Sequence, residues 1–257
     1  MNLEKEFNTV FGSPQMYRRL VENLHAGIFV ADAAGKLVYV NQAFTFMLGY
    51  TSKDEIIGLN LADHFYLHPE DRQKFLDKLS KIGFVRNYEI EYKRKDGSAV
   101  VFSITGDLII DEYNKAAGIE GVVYDITDQK KMLKRLNILE KAVEQTADLI
   151  MITDKAGIIQ YVNPAFERTT GFNFPELAGL TPNVLNSGHH EKDFYHHLWT
   201  TILSGHVFYG RITNKKKNGQ FYVSDATISP IVNEFRQVTH FVATYKDVTD
   251  WMGSKGL

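Results

Sequence analysis

Two residues fifteen positions apart, Trp199 and Asn214, have the chemistry to hold a flat heteroaromatic ligand. An indole offers a face to stack on, and a carboxamide offers one donor and one acceptor to an amide-like edge. Both lie in FYHHLWTTILSGHVFYGRITNKKKNGQFY, from Phe194 to Tyr222. The first half predicts a helix: Phe194, Leu198 and Ile202 recur every four residues, with Trp199 and Leu203 beside them, and Ser204-Gly205 ends it. Val207 to Thr213 reads as a strand, and NKKKNG as the turn into a second strand from Gln220. A helix packed across that hairpin brings indole and carboxamide to one cavity. Taken singly, Trp199 is more simply a core aromatic and Asn214 a turn residue. The joint spacing is what points to a ligand.

Composition narrows the function. The chain has 257 residues and no cysteine, which excludes disulfides, thiolate metal sites and cysteine nucleophiles. A net charge of -2 carries no nucleic-acid or anionic-membrane footprint. The apolar share of 44% and charged share of 23% are ordinary for a globular protein. No apolar run approaches the roughly 20 residues that span a bilayer. The expectation is a cytoplasmic protein, or a soluble part of a larger one, without membrane contact. No paired carboxylates, nucleophile triad, phosphate loop or metal motif is present, so an enzyme is not expected. Histidines 189, 190, 196, 197 and 206 make no closed metal-ligand set.

The chain repeats itself once. ADAAGKLVYVNQAF from Ala31 returns as TDKAGIIQYVNPAF from Thr153, at a constant spacing of 122 residues (Asp32 to Asp154). KRKDG at Lys93 returns as KKKNG at Lys215, and YDITD at Tyr124 as KDVTD at Lys246. Two copies of one domain of about 110 residues explain this better than one large domain.

Each copy has the same order of elements. A strand (Gly27 to Ala31; Leu149 to Thr153) meets an Asp/Gly turn and a second strand (Leu37 to Val40; Ile158 to Val162). Short helical turns follow, then a longer helix (Pro69 to Ile82; Glu191 to Leu203) and three strands joined by hairpins. The outer strands alternate at Ile104, Leu108 and Ile110, and at Phe221, Val223, Ile228 and Ile231. This predicts an α+β fold: two domains, each a five-stranded antiparallel sheet with helices on one face. Between them, Met132, Leu136, Leu139 and Val143 form a heptad stripe on an amphipathic helix, which either packs on its own domain or pairs with a second copy. Ser13-Pro14 starts an N-terminal helix bearing Met16, Leu20 and Leu24. The apolar residues Phe7, Val10 and Phe11 precede it. The expected divisions are an extension over 1–13, domains over 14–128 and 147–250, a linker helix over 129–146, and an exit segment or tail over 251–257.

Both copies resemble PAS domains. The motifs that carry the resemblance are the YVNxAF turn, the Gly-Tyr or Gly-Phe after it, the lysine-rich hairpin turn and the closing D(I/V)T, in this order. The family's domains are small sensors that hold a ligand between sheet and helices, or hold nothing and mediate dimerisation.

The second copy is similar to the flavin-binding PAS domains of bacterial redox and aerotaxis sensors. Their pattern is a helix ending LW or MW, then GxxWxG, then NRRKxG. Trp199, Phe208 with Gly210, and Asn214 to Gly219 stand in those places, with Phe208 replacing a tryptophan and lysines replacing arginines. The resemblance implies FAD, or alternatively FMN. Trp199, Phe208 and Asn214 would then meet the ring, Ser224 would face it, and Lys192, Asn183 and Asn186 would lie where the ribityl and phosphate groups exit. Tyr245 stands at the position of the glutamine that reads flavin N5 in the light-sensing LOV branch, and Pro182 where that branch carries its reactive cysteine. In the first copy Tyr92 takes the place of Asn214, and a filled core of Ile28, Phe44, Phe65, Phe75, Leu79 and Ile104 is expected, with no cofactor.

The reading is a sensory module of a bacterial signal-transduction protein. It is a homodimer that senses redox state or oxygen through a flavin and relays to an output domain, such as a histidine kinase or cyclase, outside this chain. The alternatives are a cofactor-free pair acting as a dimerisation and relay scaffold, and a haem domain ligated by His196 or His197.

Overall fold

Alternation of apolar side chains sets both sheets. In β6 (Leu149–Asp154), Leu149, Met151 and Thr153 point inward and are buried. In β1 (Gly27–Asp32), Phe29 and Ala31 do the same. The computed structural model describes residues 14–249, and the chain divides into two units between Lys134 and Arg135.

In the first unit α1 (Pro14–Asn23) precedes β1, then come β2 (Leu37–Val40), α2 (Gln42–Met47), α3 (Leu61–His64) and α4 (Pro69–Ile82). The long strands β3 (Phe84–Lys93), β4 (Ala99–Ile110) and β5 (Ala116–Asp125) follow. Helix α5 (Thr127–Gln145) leads to the second unit. That unit continues from β6 with β7 (Ile159–Val162), α6 (Pro164–Thr170), α7 (Phe174–Leu177), α8 (Lys192–Leu203), β8 (Phe208–Lys215), β9 (Phe221–Val232) and β10 (Val238–Asp247). The sheets have matching antiparallel orders, β2-β1-β5-β4-β3 and β7-β6-β10-β9-β8. The fold is the expected one: two α+β domains with five-stranded antiparallel sheets.

The phase of the outer strands differs from the expected alternation. Ile104 and Ile228 are buried, but Phe221 is 61% exposed. On β9 the inward set is Tyr222, Ser224, Ala226 and Ile228, because a slip of one residue moves every side chain to the opposite face. Ile110 and Ile231 are exposed at strand ends where the pairing register shifts. Similarly, Phe29 rather than Ile28 enters the first core, which otherwise contains Phe44, Phe65, Phe75, Leu79 and Ile104.

A buried asparagine ties each domain together. Asn41 accepts from the backbone N–H of Ile28 (2.8 Å) and Phe44 (3.0 Å), and its amide donates to the carbonyls of Val21 (3.0 Å) and Ala26 (2.8 Å). Asn163 repeats this with Ile150 (2.9 Å), Phe166 (3.0 Å), Val143 (3.1 Å) and Asp148 (2.9 Å). The N-terminal helix, first strand and second-strand turn of each domain therefore meet at one carboxamide. The closing D(I/V)T motif is also built twice: Asp125 accepts from Thr127, whose hydroxyl receives the Val101 N–H, and Asp247, Thr249 and Val223 do the same.

The stripe on α5 faces outward: Met132 is 68%, Leu136 57% and Leu139 56% exposed. Helix α1 is held by Glu22, which receives Lys53, Tyr39 and the Gln42 N–H, while Leu20 and Leu24 stay exposed. Phe7, Val10, Phe11 and the 251–257 segment lie outside the described residues.

Replacing Asn163 by Ala removes both halves of the buried knot and leaves two N–H groups and two carbonyls unpaired. We expect a loss of about 1–3 kcal/mol or more in chemical denaturation of the second domain. Asn163→Asp keeps the acceptor but not the donors, and should fall between wild type and Asn163→Ala.

Candidate functional site

Between the inner face of the second sheet and α8 lies a cavity of about 370 Å³. That volume lies in the usual range of small-molecule pockets, about 300–1,000 Å³. Helix α8 presents Tyr195, Leu198, Trp199 and Ile202 to it, an i, i+3, i+4, i+7 face. From the sheet come Met151 and Thr153, then Ile212 and Asn214, then Ile228, Phe241, Ala243 and Tyr245. The segment between α7 and α8 closes the mouth with Thr181, Pro182, Asn183, Leu185 and Asn186.

Trp199 stands edge-on to Phe241, with ring centroids 5.9 Å apart at 82°. Its indole slides under the β6–β7 turn at Gly157, where a Cβ would lie 2.7 Å from Cη2 and the backbone φ is +83°. Only glycine meets both conditions at that turn. Asn214 is buried on the last inward position of β8, and its backbone bridges to Asn186. Its carboxamide makes no hydrogen bond of normal geometry among the described residues. The hydroxyl of its cross-strand partner Tyr222 is buried beside it and also lacks a partner. Burial pushes the ionisation of Tyr222 up, offset in part by the adjacent carboxamide, but the two groups are not aligned for a bond. Tyr245 is buried against β6 and β9, and burial, with the neighbouring Tyr195, pushes its phenol up. Both tyrosines therefore stay neutral hydroxyl donors.

The PAS-domain family profile matches residues 25–128 and 147–250. The chain belongs to the PAS-domain family. Among curated relatives, the nitrogen fixation regulatory protein of Klebsiella oxytoca is 32% identical over 42% of this chain and 22% of its own length. Sporulation kinase A of Bacillus subtilis is 29% identical over 63% of this chain and 26% of its own. The aerotaxis receptor of Escherichia coli is 29% identical over 34% of this chain and 17% of its own. The chain thus spans about a quarter or less of these relatives. Among solved structures, an RNA-binding Light-Oxygen-Voltage receptor covers 88% of this chain and 96% of its own at 15% identity, with a TM-score of 0.43. PAS domains of this family therefore serve in signal-transduction proteins.

Within the second PAS domain, five sequence-derived candidates share the cavity: Trp199, Asn214, Asn183, Asn186 and Tyr245. Three do not line it. Phe208 is inward and buried but turns away from the cavity, although its cross-strand partner Ile228 lines it. It packs on Phe194 instead (5.8 Å). Ser224 is fully buried, and its hydroxyl is turned to the Ile212 carbonyl of its own sheet. Lys192 is the exposed first residue of α8, about two turns before Trp199. His196 and His197 are exposed and outside the lining, which leaves them no route to a ligand in this cavity. Sequence reading missed Tyr195 and Thr153. The helix face through 195, 198, 199 and 202 would have found the first, and strict alternation along β6 the second. Pro182, at the place of the LOV cysteine, lines the cavity.

The mouth is latched to the edge strand. His190 Nε2 accepts the Thr213 N–H at 2.9 Å, Ser187 donates to the Thr213 carbonyl at 2.5 Å, and the imidazole stacks on Phe194 at 4.2 Å. Asn186, between this latch and the cavity, accepts from Tyr195 at 3.3 Å and from the Gly188 N–H. An imidazole that accepts at Nε2 must be neutral. Burial, and then the adjacent His189, lower the His190 pKa from the usual 6.5. A histidine with a depressed folded pKa contributes stability above its ordinary pKa and loses it as pH falls towards the folded value. Acidification below 6.5 should therefore lower the protection of the Thr213 amide relative to its intrinsic exchange rate. His190→Gln, which supplies an untitratable acceptor, should flatten that pH response. A Thr213 amide whose exchange changes with pH only by intrinsic chemistry would show that no latch opens.

Proposed function

We propose that the second PAS domain binds a flavin, FAD or FMN, and that the chain is the cytoplasmic redox- or oxygen-sensing part of a signal-transduction protein. The observation that carries this reading is the cavity itself: an indole wall at Trp199 and a buried Asn214 carboxamide that lines it. The carbonyl–N–H–carbonyl edge of an isoalloxazine matches the donor and acceptor of Asn214, with the Tyr222 hydroxyl beside it as a further donor. Asn183 and Asn186 at the mouth provide polar contacts where a ribityl chain leaves. When bound, a flavin supplies one- or two-electron redox chemistry whose ring charge and N5 hydrogen-bonding change with its state. Tyr245 stands on the strand whose end, Asp247-Val248-Thr249, closes the domain, so a shift of its hydroxyl is passed to the segment that leaves the domain. The module does no chemistry of its own and relays to an output domain of the kinase or cyclase type. The similarity to an aerotaxis receptor and a nitrogen fixation regulatory protein supports this assignment.

The exposed stripe Met132, Leu136 and Leu139 on α5 supports a homodimer, in which each copy covers the other's apolar face. About two heptads are too short to pair stably alone, so the domains must add contacts.

Purified chain should carry flavin absorbance, and Asn214→Ala should bind flavin about 5- to 100-fold more weakly, the equivalent of losing one buried polar pair. A chain that stays colourless after refolding with FAD or FMN overturns the cofactor reading. Separately, Leu136→Glu with Leu139→Glu should convert the dimer to monomer in sedimentation velocity while both domains stay folded. A wild-type monomer at high concentration would remove the dimer from the proposal.

A further inference from the structure

The first PAS domain carries a charged group where the second carries its indole. Arg72, in the first turn of α4, reaches beneath the β1–β2 turn, and its Nη2 would stand 2.6 Å from a Cβ at Gly35. Gly35 matches Gly157, under which Trp199 lies in the other domain. The Arg72 Nη1 is buried, and among the described residues it makes no hydrogen bond. Its sequence neighbour Asp71 is taken by Lys74 at 2.7 Å, and among the described residues no carboxylate forms an ion pair with Arg72.

Two phenols converge on the same place. The Arg72 guanidinium carbon is 5.7 Å from the Tyr66 ring centroid, and the Tyr66 hydroxyl is buried without a partner. Tyr92 lies 4.9 Å from Tyr66, ring to ring, and their backbones bridge as Asn186 and Asn214 do in the second domain. Burial first, and then Tyr66, raise the Tyr92 ionisation, while the charge of Arg72 acts in the opposite direction. The Tyr66 hydroxyl bears on Tyr92 without being aligned in a bond to it.

A guanidinium stays charged at every relevant pH and has donors only. Buried charges are found paired, and buried donors are found bonded. Here an arginine N–H and a tyrosine O–H, on different elements, lack the same thing: an acceptor bearing negative charge. A planar carboxylate meets a guanidinium through two parallel bonds, and its remaining lone pairs can take a phenol O–H. The bare Cα of Gly35 is what lets the guanidinium lie this close to the turn, since a Cβ there would stand 2.6 Å from Nη2.

We propose that Arg72, Tyr66 and Tyr92 form a binding site for a small carboxylate in the first PAS domain, which would make the chain a sensor of two chemically different inputs. The site is independent of the flavin reading of the second domain.

The test is thermal unfolding of the full chain with acetate, malonate and succinate, at constant ionic strength set by sodium chloride. Amide chemical shifts of the first domain are followed in parallel. At least one carboxylate should raise the first-domain transition saturably and shift the amides around Gly35, Tyr66 and Arg72. Arg72→Met should abolish both effects, and Tyr66→Phe should weaken binding several-fold. No saturable response to any of the three carboxylates overturns the proposal, as does a response that survives Arg72→Met. A phosphate response as strong as the best carboxylate's overturns the carboxylate assignment. If Arg72→Met fails to fold, unchanged carboxylate affinity in Tyr66→Phe overturns it equally.

Discussion

The architecture of each domain depends on one fully satisfied, fully buried carboxamide. Asn41 and Asn163 each use two acceptor and two donor positions, all on backbone groups. The partners come from three places: the end of the preceding helix region, the start of the first strand, and the first turn of the helix after the second strand. A buried polar group that falls short of full pairing costs more than it contributes, so this arrangement tolerates little variation. Its consequence reaches beyond stability. Through Val143, the last turns of α5 are joined to the first strand of the second domain, the strand that carries Met151 and Thr153 of the cavity. Helix and cavity wall are thus linked by two bonds through one side chain.

The difference between the two domains is a matter of side-chain volume on one scaffold. In the first, Tyr66 and Tyr92 bridge at the edge strand, and the Tyr92 ring engages Phe65 and Phe102. In the second, the same bridge is made by Asn186 and Asn214, and the ring volume is exchanged for a cavity lined by polar amides. Close-packed interiors rarely leave such a space without purpose, because its lining forfeits dispersion contacts. An unpaired Tyr222 phenol beside the Asn214 carboxamide that lines it sharpens the point, since buried polar atoms are otherwise satisfied.

Much of this was legible in the chain. The repeat, the two five-stranded sheets and the linking helix follow from motif spacing and periodicity, because those patterns record which backbone groups must pair and which faces must be covered. Trp199, Asn214 and Tyr245 were legible too, although for different reasons: the first two from their chemistry and spacing, the third from resemblance. The motif position of Phe208 shows that it is inward, but not that its ring turns to Phe194 rather than to the cavity. Phe221, Val223 and Ile231 were misread because apolar residues occupy both faces of β9, so hydrophobicity alone does not choose its phase.

The sequence by itself determined the domain count, the order of elements, the turns that need glycine and the absence of thiol chemistry. These are local or periodic properties, set by backbone sterics and by residue type. Only the tertiary structure decided where space remains and which polar atoms are left unpaired. It placed Tyr195 and Thr153 in the cavity, turned Ser224 to its own sheet, latched His190 onto Thr213, and set Arg72 beneath Gly35 beside two phenols. Cavities and unsatisfied groups arise from the meeting of residues distant in the chain. No window of sequence contains them, because packing and hydrogen-bond satisfaction are settled only when all the neighbours are present.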